Sequence, residues 1–126
     1  MREAETAVLI VEDEPDICWA LAHILKRTGI AAVTATSGRQ ALRLAKRHRF
    51  HLVFLDAKLP DIDGLDLACR LREANAGIRI VLVSGYFYRD DAEVHEAIAA
   101  GIISGFISKP IEHEEVRAIA REALAP

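Results

Sequence analysis

Near its start the chain reads Val8-Leu9-Ile10-Val11-Glu12-Asp13-Glu14, four apolar residues that run directly into three acids. A short continuous apolar run rich in β-branched residues is typical of a strand that is buried on both faces of a parallel sheet. The acids then follow the carboxyl end of that strand, which is the edge where ligands bind in open α/β sheets. The segment therefore predicts an α/β fold with a polar site at one edge of its sheet.

The rest of the chain alternates between apolar runs and helical patterns. The helices carry local signals: Pro15 in a first turn, Ser37 with Gln40 as a capping box, and Gly29 and Gly101 at helix ends. We predict strands at residues 7–11, 30–35, 52–55, 79–83 and 105–108, and helices from Pro15 to about 27 and at 38–47, 65–74, 90–100 and 112–124. Five strand–helix units predict a parallel sheet with helices on both faces.

Size and composition fit one globular domain over residues 1–126. The chain is 52% hydrophobic and 28% charged, with a net charge of −3, so bulk attraction gives no reason to expect nucleic-acid contact. No apolar run approaches the roughly 18 residues that a membrane-spanning helix needs. The first residues are too acidic and polar for a secretory signal, so we expect a cytoplasmic location.

Three residues outside the acidic edge also carry predictions. Cys18 and Cys69 are far apart and form no C-x-x-C pair, which predicts small buried apolar side chains in a reducing compartment. Trp19, on the first helix, is predicted to pack in the core or at its rim.

Polar residues end four of the apolar runs: Glu12 and Asp13, Asp56, Ser84, and Lys109. A parallel sheet would gather all of them at one edge, where clustered carboxylates resist ionising together unless a cation is present. Mg²⁺ suits such a cluster because it is a hard ion that prefers oxygen ligands. Lys109 could meet phosphoryl oxygens, Ser84 could donate a hydrogen bond to them, and the Asp56 carboxylate could form an acyl phosphate.

In the order and spacing of these motifs, the chain resembles the receiver domain of two-component response regulators over essentially its whole length. The matching segments are residues 8–14, 52–56 with Pro60-Asp61-Ile62-Asp63-Gly64, 83–85 and 105–110. Residues 14–21 are most similar to receivers of the nitrogen-regulation type of transcriptional activator. The resemblance implies a flavodoxin-like parallel sheet in the strand order 2-1-3-4-5.

The resemblance also implies a phospho-acceptor and a metal site. Asp56 would accept a phosphoryl group from a phosphohistidine on a sensor histidine kinase. Mg²⁺ would be held by Asp13, Asp56 and the backbone carbonyl of Lys58, with Glu12 acting through water.

A switch follows from the same resemblance. Lys109 would pair with the phosphoryl group, Ser84 would move to bond it, and Phe106 would then turn inward. The Lys109–Pro110 peptide bond would be cis. The family often has threonine at the position of Ser84 and tyrosine at that of Phe106, so this chain keeps the first hydroxyl and lacks the second.

These roles predict phosphorelay signal transduction by a domain that promotes its own phosphorylation and dephosphorylation and is not a turnover enzyme. The region from Asp90 to the last helix would pass the change to an output domain or downstream protein, which the sequence does not identify. A homodimer through the fourth helix, fifth strand and fifth helix is compatible with the pattern. The domain could be free-standing or part of a longer regulator.

Two alternatives remain open at this stage. The chain could be a degenerate receiver that binds partners without phosphorylation. Alternatively, Asp61-Ile62-Asp63-Gly64 resembles the D-x-D-G motif of haloacid-dehalogenase-type phosphatases, although it follows Pro60 and not an apolar strand.

Bulky side chains are also expected beside the phosphoryl group. Lys58 lies two residues after Asp56, and Tyr86 lies two residues after Ser84. We hypothesise that both shield the phosphoryl group from water. The aromatic segment Tyr86-Phe87-Tyr88 is a candidate contact surface.

Overall fold

The computed structural model describes residues 8–85 and 91–125, in which five parallel strands alternate with five helices. The elements are β1 (Val8–Val11), α1 (Pro15–Arg27), β2 (Val33–Ala35), α2 (Gly38–Arg47), β3 (Leu52–Asp56), α3 (Gly64–Ala74), β4 (Arg79–Ser84), α4 (Ala92–Ala99), β5 (Gly105–Ser108) and α5 (His113–Ala123). The strand order is β2-β1-β3-β4-β5, which confirms the predicted fold. In this part of the chain, no helix combines the length and the apolar character that a bilayer crossing requires.

Helices cover both faces of the sheet, so the central strands are fully buried. Leu9 and Val11 of β1 point to a core layer shared with α2, α3 and α4. Val8 and Ile10 point to the opposite layer, which is built with α1 and α5. The continuous apolar run of β1 is therefore explained, because each alternate residue meets a different core layer.

Strand β2 is shorter than predicted, because residues 30–32 lie outside it. The backbone N–H of Ile30 donates to Leu25 O at 2.9 Å, so this residue still closes the end of α1. Gly29 adopts a φ of 87°, the left-handed conformation that ends many helices. Strand β2 therefore begins only after the residues that cap the end of α1.

The capping box of α2 is only half as predicted. The Ser37 hydroxyl accepts a hydrogen bond from Gln40 N at 3.1 Å, as expected. The Gln40 side chain instead accepts from Thr36 N at 2.8 Å, one residue earlier than a reciprocal box requires.

The loop after β3 supplies a further cap to α2. The two carboxylate oxygens of Asp61 accept hydrogen bonds from the backbone N–H groups of Gly38 and Arg39, each at 2.9 Å. These backbone hydrogen bonds favour the charged form, which lowers the pKa of Asp61. The loop is therefore tied to the neighbouring helix.

Two side chains predicted to be buried are exposed. Trp19 is 67% exposed and stacks on His23, with ring centroids 4.8 Å apart and an interplanar angle of 9°. The buried residues of α1 include Leu21, which lies about 200° around the helix from Trp19. Cys69 is exposed on α3, whereas Cys18 is half-buried, and both thiols are free.

Gly64 brings the start of α3 into direct backbone contact with the end of β3. Its N–H donates to Ala57 O at 2.9 Å. A Cβ atom at this position would lie 2.7 Å from Asp56 O and 2.8 Å from Ala57 Cα. A side chain here would therefore push against the backbone that carries Asp56.

We predict that Gly64→Ala lowers the free energy of unfolding by about 1–3 kcal/mol, the usual cost of overpacking. The control is Gly105→Ala in β5, where an added Cβ would meet no atom within 4 Å. That variant should match or exceed wild-type stability. Urea unfolding of the three proteins measures this, and equal loss in both variants would contradict the steric explanation.

Candidate functional site

The candidate site lies at the carboxyl edge of the sheet. Glu12 follows β1, Asp56 ends β3, Ser84 ends β4 and Lys109 follows β5. The parallel register places Ser84 opposite Ser108, and Lys109 N donates to Ser84 O at 2.8 Å. Three successive strand pairings thus bring together residues that are almost one hundred positions apart.

Four carboxyl groups converge at this edge. Glu12, Asp13, Glu14 and Asp56 each place one oxygen within 4.8 Å of the others. Glu12 and Asp56 are buried, whereas Asp13 and Glu14 are exposed. The sequence predicted three of these acids as site residues and missed Glu14, although its place in a run of three acids was a signal.

Lys109 lies among these acids. Its Nζ is 3.0 Å from Glu14 Oε2, 3.4 Å from Glu12 Oε1 and 3.8 Å from Asp56 Oδ1. The Lys109 side chain is only 14% exposed. The ammonium therefore offsets part of the negative charge, but not all of it.

Burial shifts the protonation of the two inner acids. It raises the pKa of Glu12 to about 7, and neighbouring Asp56 adds to this rise, while a hydrogen bond from Glu14 N opposes it. Burial also raises the pKa of Asp56, against the opposing effects of its hydrogen bonds and of Lys109. Burial alone would lower the pKa of Lys109, but its hydrogen bond to Glu14 and the nearby carboxylate charges raise it.

The donor set fits a hard divalent cation. Oε1 of Glu12 is buried and accepts no hydrogen bond from the residues described, 8–85 and 91–125, although it lies in ion-pair range of Lys109. Four carboxyl groups at one point are costly without a positive charge, and Mg²⁺ takes carboxylate oxygens readily. The arrangement thus suits Mg²⁺.

The other residues implied by the resemblance surround this cluster. The Lys58 N–H donates to Asp56 Oδ1 at 3.3 Å, so the turn after β3 holds the carboxylate. The Lys58 side chain is exposed, and an isolated antiparallel β-bridge pairs the backbones of Lys58 and Asp63. Shielding by Lys58 stays a prediction, while Tyr86 and the segment 86–88 lie outside the described residues.

Phe106 lies on β5, three positions before Lys109. It is half-buried on β5 and packs against the core layer of α2, α3 and α4. It also lines an open groove of about 590 Å³, together with His95, Ser108, Lys109, Pro110, Glu112 and Glu115. The Lys109–Pro110 peptide bond at this groove is cis.

The phosphatase-like interpretation of Asp61-Ile62-Asp63-Gly64 is wrong. Asp61 caps α2 from a loop. Asp63 caps α3, where its carboxylate accepts from Leu65 N at 3.1 Å. Neither acid ends a strand, and neither belongs to the cluster around Lys109.

A family model identifies the class of this domain. The model of the response regulator receiver domain matches residues 8–121. The chain belongs to this family. The resemblance drawn from the motifs is therefore confirmed, and the class of function is two-component phosphorelay signalling.

Relatives of this receiver domain differ in length. It is 34% identical over 122 residues to the probable transcriptional regulatory protein TcrX of Mycobacterium tuberculosis, covering 92% of this chain and 50% of TcrX. It is 29% identical over 117 residues to sporulation initiation phosphotransferase F of Bacillus subtilis, covering 93% of this chain and 92% of that protein. The chain thus spans half the length of the first relative and most of the second.

Solved receiver structures have the same fold. The response regulator TrrA of Thermotoga maritima, in complex with Mg²⁺ and beryllium fluoride, aligns with a TM-score of 0.81 and 28% identity, covering 94% of this chain and 99% of that one. The receiver domain of NtrX from Brucella abortus aligns with a TM-score of 0.83 and 29% identity, covering 93% and 97%. The second match agrees with the resemblance to nitrogen-regulation receivers.

The raised pKa of Glu12 predicts a stability profile for the receiver domain in Mg²⁺-free buffer. The folded protein keeps the Glu12 proton up to about pH 7, whereas the unfolded chain releases it near 4.5. The free energy of unfolding should therefore fall as pH rises between these values, by up to about 3 kcal/mol. Glu12→Gln removes this titration and should make the fall shallower, while the raised pKa of Asp56 keeps part of it.

Urea unfolding between pH 4.5 and 8 with a chelator measures the profile. Glu73→Gln, at an exposed position on α3, is the control and should keep the wild-type slope. An unchanged slope in Glu12→Gln would show that Glu12 is not the group responsible.

Proposed function

We propose that Asp56 is the phospho-acceptor of this receiver domain and that the domain works with Mg²⁺. Asp13, Asp56 and the backbone carbonyl of Lys58 would hold the ion, with Glu12 acting through water. The observation that carries this proposal is the position of Asp56. This residue ends the central strand β3, its Oδ1 lies 3.8 Å from Lys109 Nζ, and three other acids surround it.

The reaction transfers a phosphoryl group from a histidine nitrogen to a carboxylate oxygen. A carboxylate oxygen of Asp56 attacks the phosphorus of a phosphohistidine, and a P–O bond forms. The P–N bond breaks, and its electron pair leaves with the imidazole. Hydrolysis later breaks the P–O bond when water attacks the phosphorus, which regenerates the carboxylate and releases phosphate.

Charge controls both steps. A phosphoryl group adds nearly two negative charges to an edge that already holds four acids. Lys109 contributes one positive charge beside Asp56, where it could pair with phosphoryl oxygens. Mg²⁺ would supply further positive charge when bound. The protein residues then act by positioning and by electrostatic stabilisation, as in other phosphoryl transfers.

We propose that Ser84 and Phe106 transmit the modification. Ser84 is buried at the end of β4, and its backbone carbonyl accepts a hydrogen bond from Lys109 N, so its hydroxyl would need only a local movement to bond a phosphoryl oxygen at the same sheet edge. Phe106 borders the open groove between β5 and α4, where inward rotation would change the surface. A two-state element of this kind is what a local charge change needs to act at a distance.

The partners in this proposal follow from the family. A sensor histidine kinase in the cytoplasm would donate the phosphoryl group, and a covalently linked output domain or a separate protein would receive the change. The receiver would span residues 1–126 and would regulate without multiple turnover of an external substrate. A homodimer through α4, β5 and α5 stays a prediction.

A degenerate receiver is the weaker alternative. Loss of phosphorylation would require that one of the central groups be missing. This chain retains Asp13, Asp56, Ser84 and Lys109, and the three charged members lie together in space. No observation favours an interaction module that works without phosphorylation.

The test is incubation with acetyl phosphate and Mg²⁺ followed by intact-mass measurement. Wild type should gain one acid-labile phosphoryl group, and Asp56→Asn should gain none. Asp61→Asn is the matched control because Asp61 caps a helix nearby and lies outside the cluster; it should still be modified. Absence of the adduct in wild type, or its persistence in Asp56→Asn, would overturn the proposal.

A further inference from the structure

Among the residues that the structure describes, Glu14 makes the shortest ion-pair contact to Lys109. Its Oε2 lies 3.0 Å from Lys109 Nζ and accepts a hydrogen bond, whereas Glu12 and Asp56 lie at 3.4 and 3.8 Å. The contact joins the start of α1 to the residue after β5, across 95 positions in the chain. The ammonium that should serve the phosphoryl group is therefore already engaged by another carboxylate.

The contact is not a consequence of helix capping. Glu14 is the N-cap residue of α1, a position whose side chain often accepts a hydrogen bond from the first turn. Its side chain makes no such bond and points to Lys109 instead. Its backbone N–H donates to Glu12 Oε2 at 3.1 Å, which anchors the residue beside the cluster.

The partners of Lys109 differ sharply in their exposure to water. The Glu14 side chain is 61% exposed, while that of Glu12 is 1% exposed. A carboxylate that leaves Lys109 must find other hydrogen-bond partners, and only an exposed one finds them in bulk water at little cost. Glu14 is thus the partner that Lys109 can most readily release.

We propose that Glu14 is a competitor for Lys109: it holds the ammonium while Asp56 is unmodified and gives it up to the incoming phosphoryl group. This inference rests on the proposed function of Asp56 and Lys109. Glu14 acts through Lys109, so it is a positioning residue and not a catalytic one. Its effect is to stabilise the unmodified state, which makes phosphorylation of Asp56 less favourable.

Beryllium fluoride with Mg²⁺ is the probe, and calorimetry measures its affinity. Because breaking an exposed ion pair is a modest cost, Glu14→Gln should bind the probe about two- to five-fold more tightly than wild type. The matched control is Asp16→Asn, which removes the same charge from an exposed position in the first turn of α1. That variant should stay within about two-fold of wild type.

A second measurement follows Lys109 itself. The chain has four lysines, so lysine side-chain NMR signals are few, and the loss of one signal in Lys109→Arg assigns Lys109. Glu14→Gln should shift this signal in the free protein. Wild type and variant should then converge when Mg²⁺ and beryllium fluoride are bound, because Glu14 has released Lys109 in both.

The outcomes separate the two proposals. If wild type does not bind the probe, the proposed function fails, and the role of Glu14 fails with it. If wild type binds it but Glu14→Gln matches Asp16→Asn, only the competitor role is overturned. A several-fold loss of affinity for Mg²⁺ alone in Glu14→Gln would overturn it too, since Glu14 would then be a metal ligand.

Discussion

Excess negative charge at one edge of the sheet is the constraint on which the site depends. Four carboxyl groups meet the ammonium of Lys109 there, and burial raises the pKa of both Glu12 and Asp56. Folding alone does not neutralise this charge. An edge of this kind is poised to accept a cation, because a cation relieves the repulsion, and the bound cation would then offset the negative charge that a phosphoryl group adds.

The rest of the fold keeps the charges in place. A parallel sheet covered on both faces fixes the directions of β1, β3, β4 and β5, so their carboxyl ends cannot separate without exposing the core. Local contacts add precision. Gly64 lets α3 begin against the end of β3, and Asp61 ties the intervening loop to α2. Asp56, the proposed phospho-acceptor, is therefore held from both sides.

Within this rigid frame, the partners of Lys109 range from fully buried to open. Glu12 and Asp56 are enclosed, whereas Glu14 faces solvent. A buried pair resists rearrangement because an isolated charge left behind would be costly. An exposed partner can be exchanged at little cost, which gives the site one contact that can change while the others persist.

The sequence alone was sufficient for the strand order, through its resemblance to receivers. It was also sufficient for most of the charged residues that cluster at the sheet edge, because they follow apolar runs that form neighbouring parallel strands. It was not sufficient where an outcome depends on neighbours far along the chain. Trp19 and Cys69 could have faced either way until the packing side of their helices was known, and β2 was shortened by a cap formed with α1. Glu14 was visible as a third acid, but its contact with Lys109 arises only when β1 and β5 are aligned in one sheet. Local propensity and pattern specify elements and their ends, whereas the pairing of distant charges is decided by tertiary structure, since it depends on distances that no local pattern contains.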